Sequence, residues 1–279
     1  MLFEGTSATS PGRPRASGLR VAAVAVLAVA NQKGGVAKTT TVHALADAWA
    51  AAGLRVLAVD LDPQSCLTWS CGLDPDELHP SMHDVLMGRL DVTEVARRAG
   101  LGFDLAPATI DLAGAEVHLA NRAGRERAVA EVLAPVRDAY DLVILDCPPS
   151  LGILTVNALT AADAVLVPMQ CEALSHRGVG QLLETVADVR AFANARLEVL
   201  GVVATMFEGR RRLSREIAAE VGVRYGLELL ARPIPKSVRF AEAPARSRSI
   251  LTHAPASPGA AAYEELAATI AAALEPARA

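Results

Sequence analysis

Of 27 basic residues only three are lysines, and two of them, Lys33 and Lys38, bracket a run of small residues: Lys33-Gly34-Gly35-Val36-Ala37-Lys38-Thr39-Thr40. Glycine lets the main chain come close to an anion without a Cβ in the way. At a strand-to-helix junction, the backbone amides of Gly34, Gly35, Val36, Ala37, Lys38, Thr39 and Thr40 converge with the helix dipole on phosphate oxygens. Lys38 is then placed to reach the β- and γ-phosphates of a nucleotide, and the Thr39 hydroxyl to ligate Mg2+. The common spacing G-x-x-x-x-G-K-[ST] is not met, because Gln32 and Ala37 stand at its two glycine positions.

Carboxylates supply the complementary chemistry. Asp60-Leu61-Asp62-Pro63-Gln64 and Asp146-Cys147-Pro148-Pro149-Ser150 each follow a short apolar run. Ligands of open α/β sheets sit beyond the carboxyl ends of the strands, so acids at those ends face the ligand. Asp146 at the end of a buried strand fits a direct or water-mediated hold on Mg2+, the Walker B role. Side-chain alternation can put Asp60 and Asp62 on the same side.

These groups need a scaffold, and the hydrophobic pattern provides one. An apolar run from Val24 to Ala30, a loop from Asn31 to Lys38, a helical period from Thr39 to Ala52 and a second apolar run from Arg55 to Asp60 form a βαβ unit. Further strands are expected at 103–107, 141–146, 164–168 and 197–205, and helices at 122–139, 175–193 and 260–274, the last entered through a Pro-rich link at 254–259. The alternation predicts an α/β fold: a doubly wound, mostly parallel sheet with helices on both faces. Residues 1–20 carry Ser, Pro, Gly and Arg without an apolar period and read as a disordered arm, with one domain over 21–279.

Composition narrows the class. A chain of 279 residues that is 52% hydrophobic can fill one large core. The Val21–Ala30 run is too short to span a bilayer, and the four cysteines lack both zinc spacing and disulfide density. A reducing cytoplasm, no membrane span and no transition metal are therefore expected. The net charge of −4 argues against nucleic acid, but its distribution reverses that inference. Residues 207–250 hold ten basic and five acidic residues, +5, which leaves −9 elsewhere.

The loop with its early lysine resembles the deviant Walker A box of the ParA/MinD group of ATPases. That resemblance implies ATP with Mg2+, slow hydrolysis and a homodimer in which Lys33 reaches the nucleotide of the other subunit, as an arginine finger would. It assigns the attacking water to Asp62 and places both Asp60 and Asp62 in the metal shell, and makes the segment after Asp146 a switch region. The stretches Thr205-Met206-Phe207-Glu208-Gly209-Arg210 and Ile234-Pro235-Lys236-Ser237-Val238-Arg239-Phe240-Ala241-Glu242-Ala243-Pro244 resemble the ParA/Soj partition ATPases more narrowly. They imply that Met206 and Pro235 flank adenine. They also imply that Arg210, Arg211, Lys236 and Arg239 bind double-stranded DNA without sequence preference, that a ParB-like adaptor stimulates hydrolysis, and that the protein is cytoplasmic and nucleoid-associated. Glu208 stands where aspartate is common, and Ala245-Arg246-Ser247-Arg248-Ser249 replaces a glycine-containing turn.

Chromosome, plasmid and protein cargo all remain open on the sequence. Two neighbouring readings are a membrane-associated division-site ATPase like MinD and an iron–sulfur reductase. The first calls for a basic amphipathic C-terminal helix, whereas 260–274 carries Glu264 and Glu265 and no lysine or arginine. The second calls for a thiolate pair from each subunit, which the cysteine positions do not offer.

Overall fold

The computed structural model describes residues 25–172, 175–209 and 211–274. The arm at 1–20 and Arg210 lie outside them. The strands are β1 (Ala25–Val29), β2 (Val56–Asp60), β3 (Arg97–Ala99), β4 (Phe103–Ala106), β5 (Leu142–Asp146), β6 (Ala164–Gln170) and β7 (Glu198–Thr205). They form one sheet in the order β3-β4-β2-β5-β1-β6-β7. Every pairing is parallel except β3 with β4 at the edge.

The helices in chain order are α1 (Lys38–Ala51), α2 (Cys66–Ser70), α3 (Met82–Leu86), α4 (Val92–Val95), α5 (Leu112–Ala120), α6 (Ala128–Leu133), α7 (Ile153–Ala161), α8 (Ser175–Phe192), α9 (Arg212–Tyr225), α10 (Arg239–Glu242), α11 (Ile250–His253) and α12 (Pro258–Ala273). Strand alternation divides them between two layers. Leu27, Val29, Leu142 and Ile144 point to one face and pack with Leu45 and Trp49 of α1, Leu67 of α2, and Tyr263, Leu266 and Ile270 of α12. Val26, Ala28, Val143 and Leu145 point to the other and pack with Leu112, Val129, Leu154, Leu182 and Ile217 from α5 to α9. Burial on both faces is why these strands read as unbroken apolar runs.

The expected doubly wound, mostly parallel sheet is therefore what forms, with two local differences. The helix expected over 122–139 is broken into a 3-10 turn at 125–127, α6, and a second 3-10 turn at 137–139. Pro135 accounts for the break: it has no N–H to give and its ring clashes with the carbonyl four residues back. The last helix begins inside the segment read as a link. Ser257 caps it, accepting the Ala260 amide at 3.1 Å, and Pro258 takes the first helical position, where no intrahelical N–H is needed.

Beneath α1 lies a buried polar cluster. The His43 ring has Nε2 4.0 Å from Asp47 Oδ2 and 3.8 Å from Cys71 Sγ, with the edge of Phe103 against it. Burial lowers the His43 pKa from its ordinary value, and Asp47 only partly opposes this. The unfolded chain then takes up this proton at a higher pH than the folded one. Stability is insensitive to His43 above pH ~6.5 and falls as pH drops below that value toward the folded pKa. Thermal melts between pH 7.5 and 5.5 should show this loss, with a flatter profile for His43→Gln; parallel profiles would assign the loss elsewhere.

Candidate functional site

β1 ends against the segment that joins it to α1, and that junction gathers the sequence-flagged groups. Asn31 is buried, donates through Nδ2 to Pro168 O at 2.8 Å and accepts the Lys33 amide on Oδ1 at 3.0 Å, which fixes where the loop leaves the sheet. Gly35 and Ala37 both adopt left-handed backbone, with φ of 72° and 68°. Gly34 lies beside Pro149, so the loop touches the segment that follows Asp146. The N-terminus of α1 opens directly from this turn and has no side-chain cap, which leaves its first amides for a ligand.

Lys38 is buried, and its ammonium donates to Lys33 O at 3.3 Å. Burial lowers its pKa; Asp146, then Cys147 and Asp62, pull it back up. Asp146 and Asp60 sit side by side, paired in register across β5 and β2. Their surroundings differ. The Asp60 carboxylate accepts the Asp62 amide at 3.1 Å, the Thr68 amide at 2.9 Å and the Thr68 hydroxyl at 2.7 Å. Burial nonetheless pushes its pKa up to about 6. Both oxygens of Asp146, by contrast, are buried with no hydrogen-bond partner among the described residues. Burial and the neighbouring Asp60 push its pKa well up, while Thr39 and Lys38 favour the ionised form.

A buried carboxylate with neither oxygen satisfied is costly unless a cation or donor completes it. Asp146 and the Thr39 hydroxyl thus fit a small hard cation. Among the described residues no three acidic, histidine or cysteine side chains converge into a preformed cage. Mg2+ keeps waters and shares its coordination with substrate oxygens, so one carboxylate and one hydroxyl are a sufficient protein contribution. Asp60 is tied into the loop leading to α2, so any contribution it makes to a metal shell passes through its neighbours. Asp62 accepts the Gln64 amide on Oδ1 at 2.9 Å, and Oδ2 has no hydrogen bond among the described residues. The Lys33 ammonium meets Glu172 at 3.0 Å, and Glu172 is also held by Gln170 at 2.7 Å.

A cavity of about 400 Å3 adjoins the loop, lined by Ala37, Thr40, Met206, Pro235 and Phe240 among others. The two stretches that supply Met206 and Pro235 pair as a short parallel bridge, with the Phe207 amide donating to Ile234 O at 2.9 Å. Met206 itself is left-handed, with φ 48°. The apolar walls suit a planar ring, and Phe240 and Tyr263 are lining residues that sequence reasoning did not mark.

Comparison with known proteins identifies the chain's relatives. A family model described as AAA domain (AAA_31) matches residues 24–199. The chromosome partitioning protein ParA of Caulobacter vibrioides is 43% identical over 245 residues, covering 87% of this chain and 92% of that protein. The chain belongs to the ParA/Soj family of ATPases. The sporulation initiation inhibitor Soj of Bacillus subtilis is 40% identical, over 88% of this chain and 98% of Soj. A structure from Mycobacterium smegmatis, named cobyrinic acid a,c-diamide synthase and holding ADP and magnesium, superposes with a TM-score of 0.78. It is 50% identical and the match covers 88% of this chain and 92% of that one.

Within this ParA/Soj chain Arg211, Lys236 and Arg239, three of the four cations expected to bind phosphate on the C-terminal third, are exposed but paired, and Arg210 lies outside the described residues. Arg211 and Lys236 both meet Glu208, at 2.8 and 3.1 Å, and Arg239 meets Glu242 at 3.0 Å. Glu208, the departure from the more usual aspartate, is thus the carboxylate that holds two of them. Exposed pairs of this kind are worth roughly 0–1 kcal/mol, so these three cations are only weakly held by their carboxylates.

Proposed function

We propose that this partition ATPase binds ATP with Mg2+ at the loop and hydrolyses it slowly as a sandwich homodimer, and that the ATP dimer binds double-stranded DNA without sequence preference. The observation that carries the reading is the unsatisfied Asp146 carboxylate beside Lys38 and Thr39. Mg2+ would be held by Asp146 and the Thr39 hydroxyl and would supply positive charge to the β- and γ-phosphates. Lys38 supplies a desolvated ammonium to the same phosphates, and the amides of residues 34–40 orient them. Asp62, with Oδ1 anchored by Gln64, offers Oδ2 to the attacking water and receives its proton. Lys33 completes the charge balance across the dimer. Its tie to Glu172 is a partly exposed pair, too weak to compete with a triphosphate. A ParB-like adaptor accelerates turnover, and the dimer is nucleoid-associated in the cytoplasm.

The base sits in the cavity between Met206 and Pro235, and DNA phosphates exchange for Glu208 and Glu242 at Arg211, Lys236 and Arg239, with Arg210 alongside in sequence. Two alternatives are disfavoured by particular observations. A membrane-seeking C-terminal helix needs a free apolar face, but Tyr263, Leu266 and Ile270 of α12 are buried against α1, and Trp49 Nε1 donates to Ala267 O at 3.0 Å. Among the described residues no helix is long and apolar enough to cross a membrane. Amide formation, the activity in the name of the M. smegmatis structure, would call for an activated thiolate if its nitrogen were released from a carboxamide donor. Burial instead raises the pKa of Cys66, Cys71, Cys147 and Cys171.

DNA retention measured with ATP, ADP and no nucleotide at several salt concentrations tests the reading. Retention should require ATP. The Arg211→Ala/Lys236→Ala double variant should bind more weakly, with a log–log salt slope shallower by ~0.9 per lost phosphate contact. Unchanged retention and slope would remove these two residues from the DNA face.

A further inference from the structure

Ala37 stands at a turn that favours glycine. At φ 68° its Cβ is crowded by the carbonyl that follows, a penalty glycine does not carry. Three buried hydroxyls gather at this turn, one from the first turn of α1 and two from distant parts of the chain. Thr205 Oγ1, at the end of β7, donates to Val36 O at 3.0 Å. Thr41 Oγ1 donates to Ala37 O at 2.7 Å, alongside the Thr41 amide at 2.9 Å. Tyr263 OH of α12 lies 3.0 Å from Thr41 Oγ1. Because the single Thr41 hydroxyl proton is committed to Ala37, the phenol is the donor in that last bond. Burial raises the Tyr263 pKa, so the phenol keeps its proton. Thr41, Thr205 and Tyr263 are all fully buried.

The geometry of the peptide unit gives these bonds a consequence. In a trans peptide the C=O and the following N–H point in opposite directions. Drawing the Val36 and Ala37 carbonyls into the protein turns the Ala37 and Lys38 amides outward, toward the phosphate side. A flipped peptide would instead present a carbonyl oxygen to an anion. We propose that Thr205, Thr41 and Tyr263 form a hydroxyl brace that holds the phosphate loop in its anion-binding form in spite of the alanine at its left-handed turn, with Thr205 and Tyr263 as positioning residues for the nucleotide. Thr205 and Tyr263 also line the cavity next to the loop, so the base seat and the phosphate seat share two supports. The inference rests on the ATP reading above.

A double-mutant cycle on the full chain tests it. Mg-ATP affinity is measured by calorimetry for wild type, Thr205→Val and Tyr263→Phe, each also with Ala37→Gly. With Ala37 present, Thr205→Val should weaken binding about tenfold and Tyr263→Phe about threefold to tenfold, the worth of one buried hydrogen bond. In the Ala37→Gly background the turn needs no bracing against a Cβ, and each loss should shrink to about twofold or less. Thr205→Ser, which keeps the hydroxyl, should recover most of the Thr205→Val loss. Equal losses in both backgrounds, or none with Ala37, overturn the brace. A wild-type chain that does not bind Mg-ATP overturns the functional reading instead. The brace is then read from the Tm of the apo chain, where the Thr205→Val loss must again be smaller when combined with Ala37→Gly.

Discussion

Lys38→Ala is expected to weaken Mg-ATP binding by about 30- to 4000-fold, the range that follows from losing one partner of a buried, hydrogen-bonded charge pair. Two effects combine. The triphosphate loses an ammonium whose side chain is already buried in the fold, and burial lowers its pKa. Asp146 simultaneously loses the buried cation that offsets its own charge, so its carboxylate shifts further toward the protonated form and holds a metal less well. Equilibrium dialysis with and without Mg2+ separates the two. Wild type should bind better with Mg2+, whereas Lys38→Ala should bind poorly in both conditions. Retention of wild-type affinity would mean that the backbone amides alone carry the triphosphate. Lys38→Arg is expected to leave the loss unrepaired, because a planar fork does not replace a point charge seated 3.3 Å from Lys33 O.

Much of this site is legible in the sequence because its parts obey short-range rules. The loop lies between an apolar run and a helical period, and β2 and β5 each end in an aspartate because their runs stop there; all of that is local pattern. Met206 and Pro235, 29 positions apart, line one cavity because an isolated bridge between Phe207 and Pro235 joins their segments, which periodicity does not show. The distinction between Asp60 and Asp146 was beyond local pattern altogether. Both are buried strand-end acids, and they differ because Thr68 folds back onto one and no described residue satisfies the other. Thr205 and Tyr263 were equally hidden, since their bonds, to Val36 of the loop and to Thr41 of α1, span 169 and 222 residues. The β3 edge strand, Arg97–Ala99, is too short and too charged to carry an alternating signal, and only pairing with β4 defines it. Helix-breaking by Pro135 was readable in principle, but the amphipathic run around it outweighed the proline.

Asp62→Ala separates binding from turnover more cleanly than any other change. The residue contributes no hydrogen bond to the phosphate loop, and its backbone amide and carbonyl remain to bond Asp60 and Ser65 when the carboxylate is gone. ATP affinity should therefore stay within about threefold of wild type, whereas hydrolysis should fall by roughly 10²- to 10⁴-fold, the usual contribution of a positioned general base. In the dimer reading, blocked hydrolysis leaves the ATP state with no exit, so the variant should accumulate as dimer by size-exclusion chromatography with light scattering and stay on DNA after free ATP is removed. Single-turnover assays settle the order of events: a variant that hydrolyses its bound ATP at the wild-type rate would move the water-activating role off Asp62. A variant that stays monomeric with ATP bound and uncleaved would instead detach hydrolysis from dimer release, and leave the link between Lys33 and a second nucleotide without its main support.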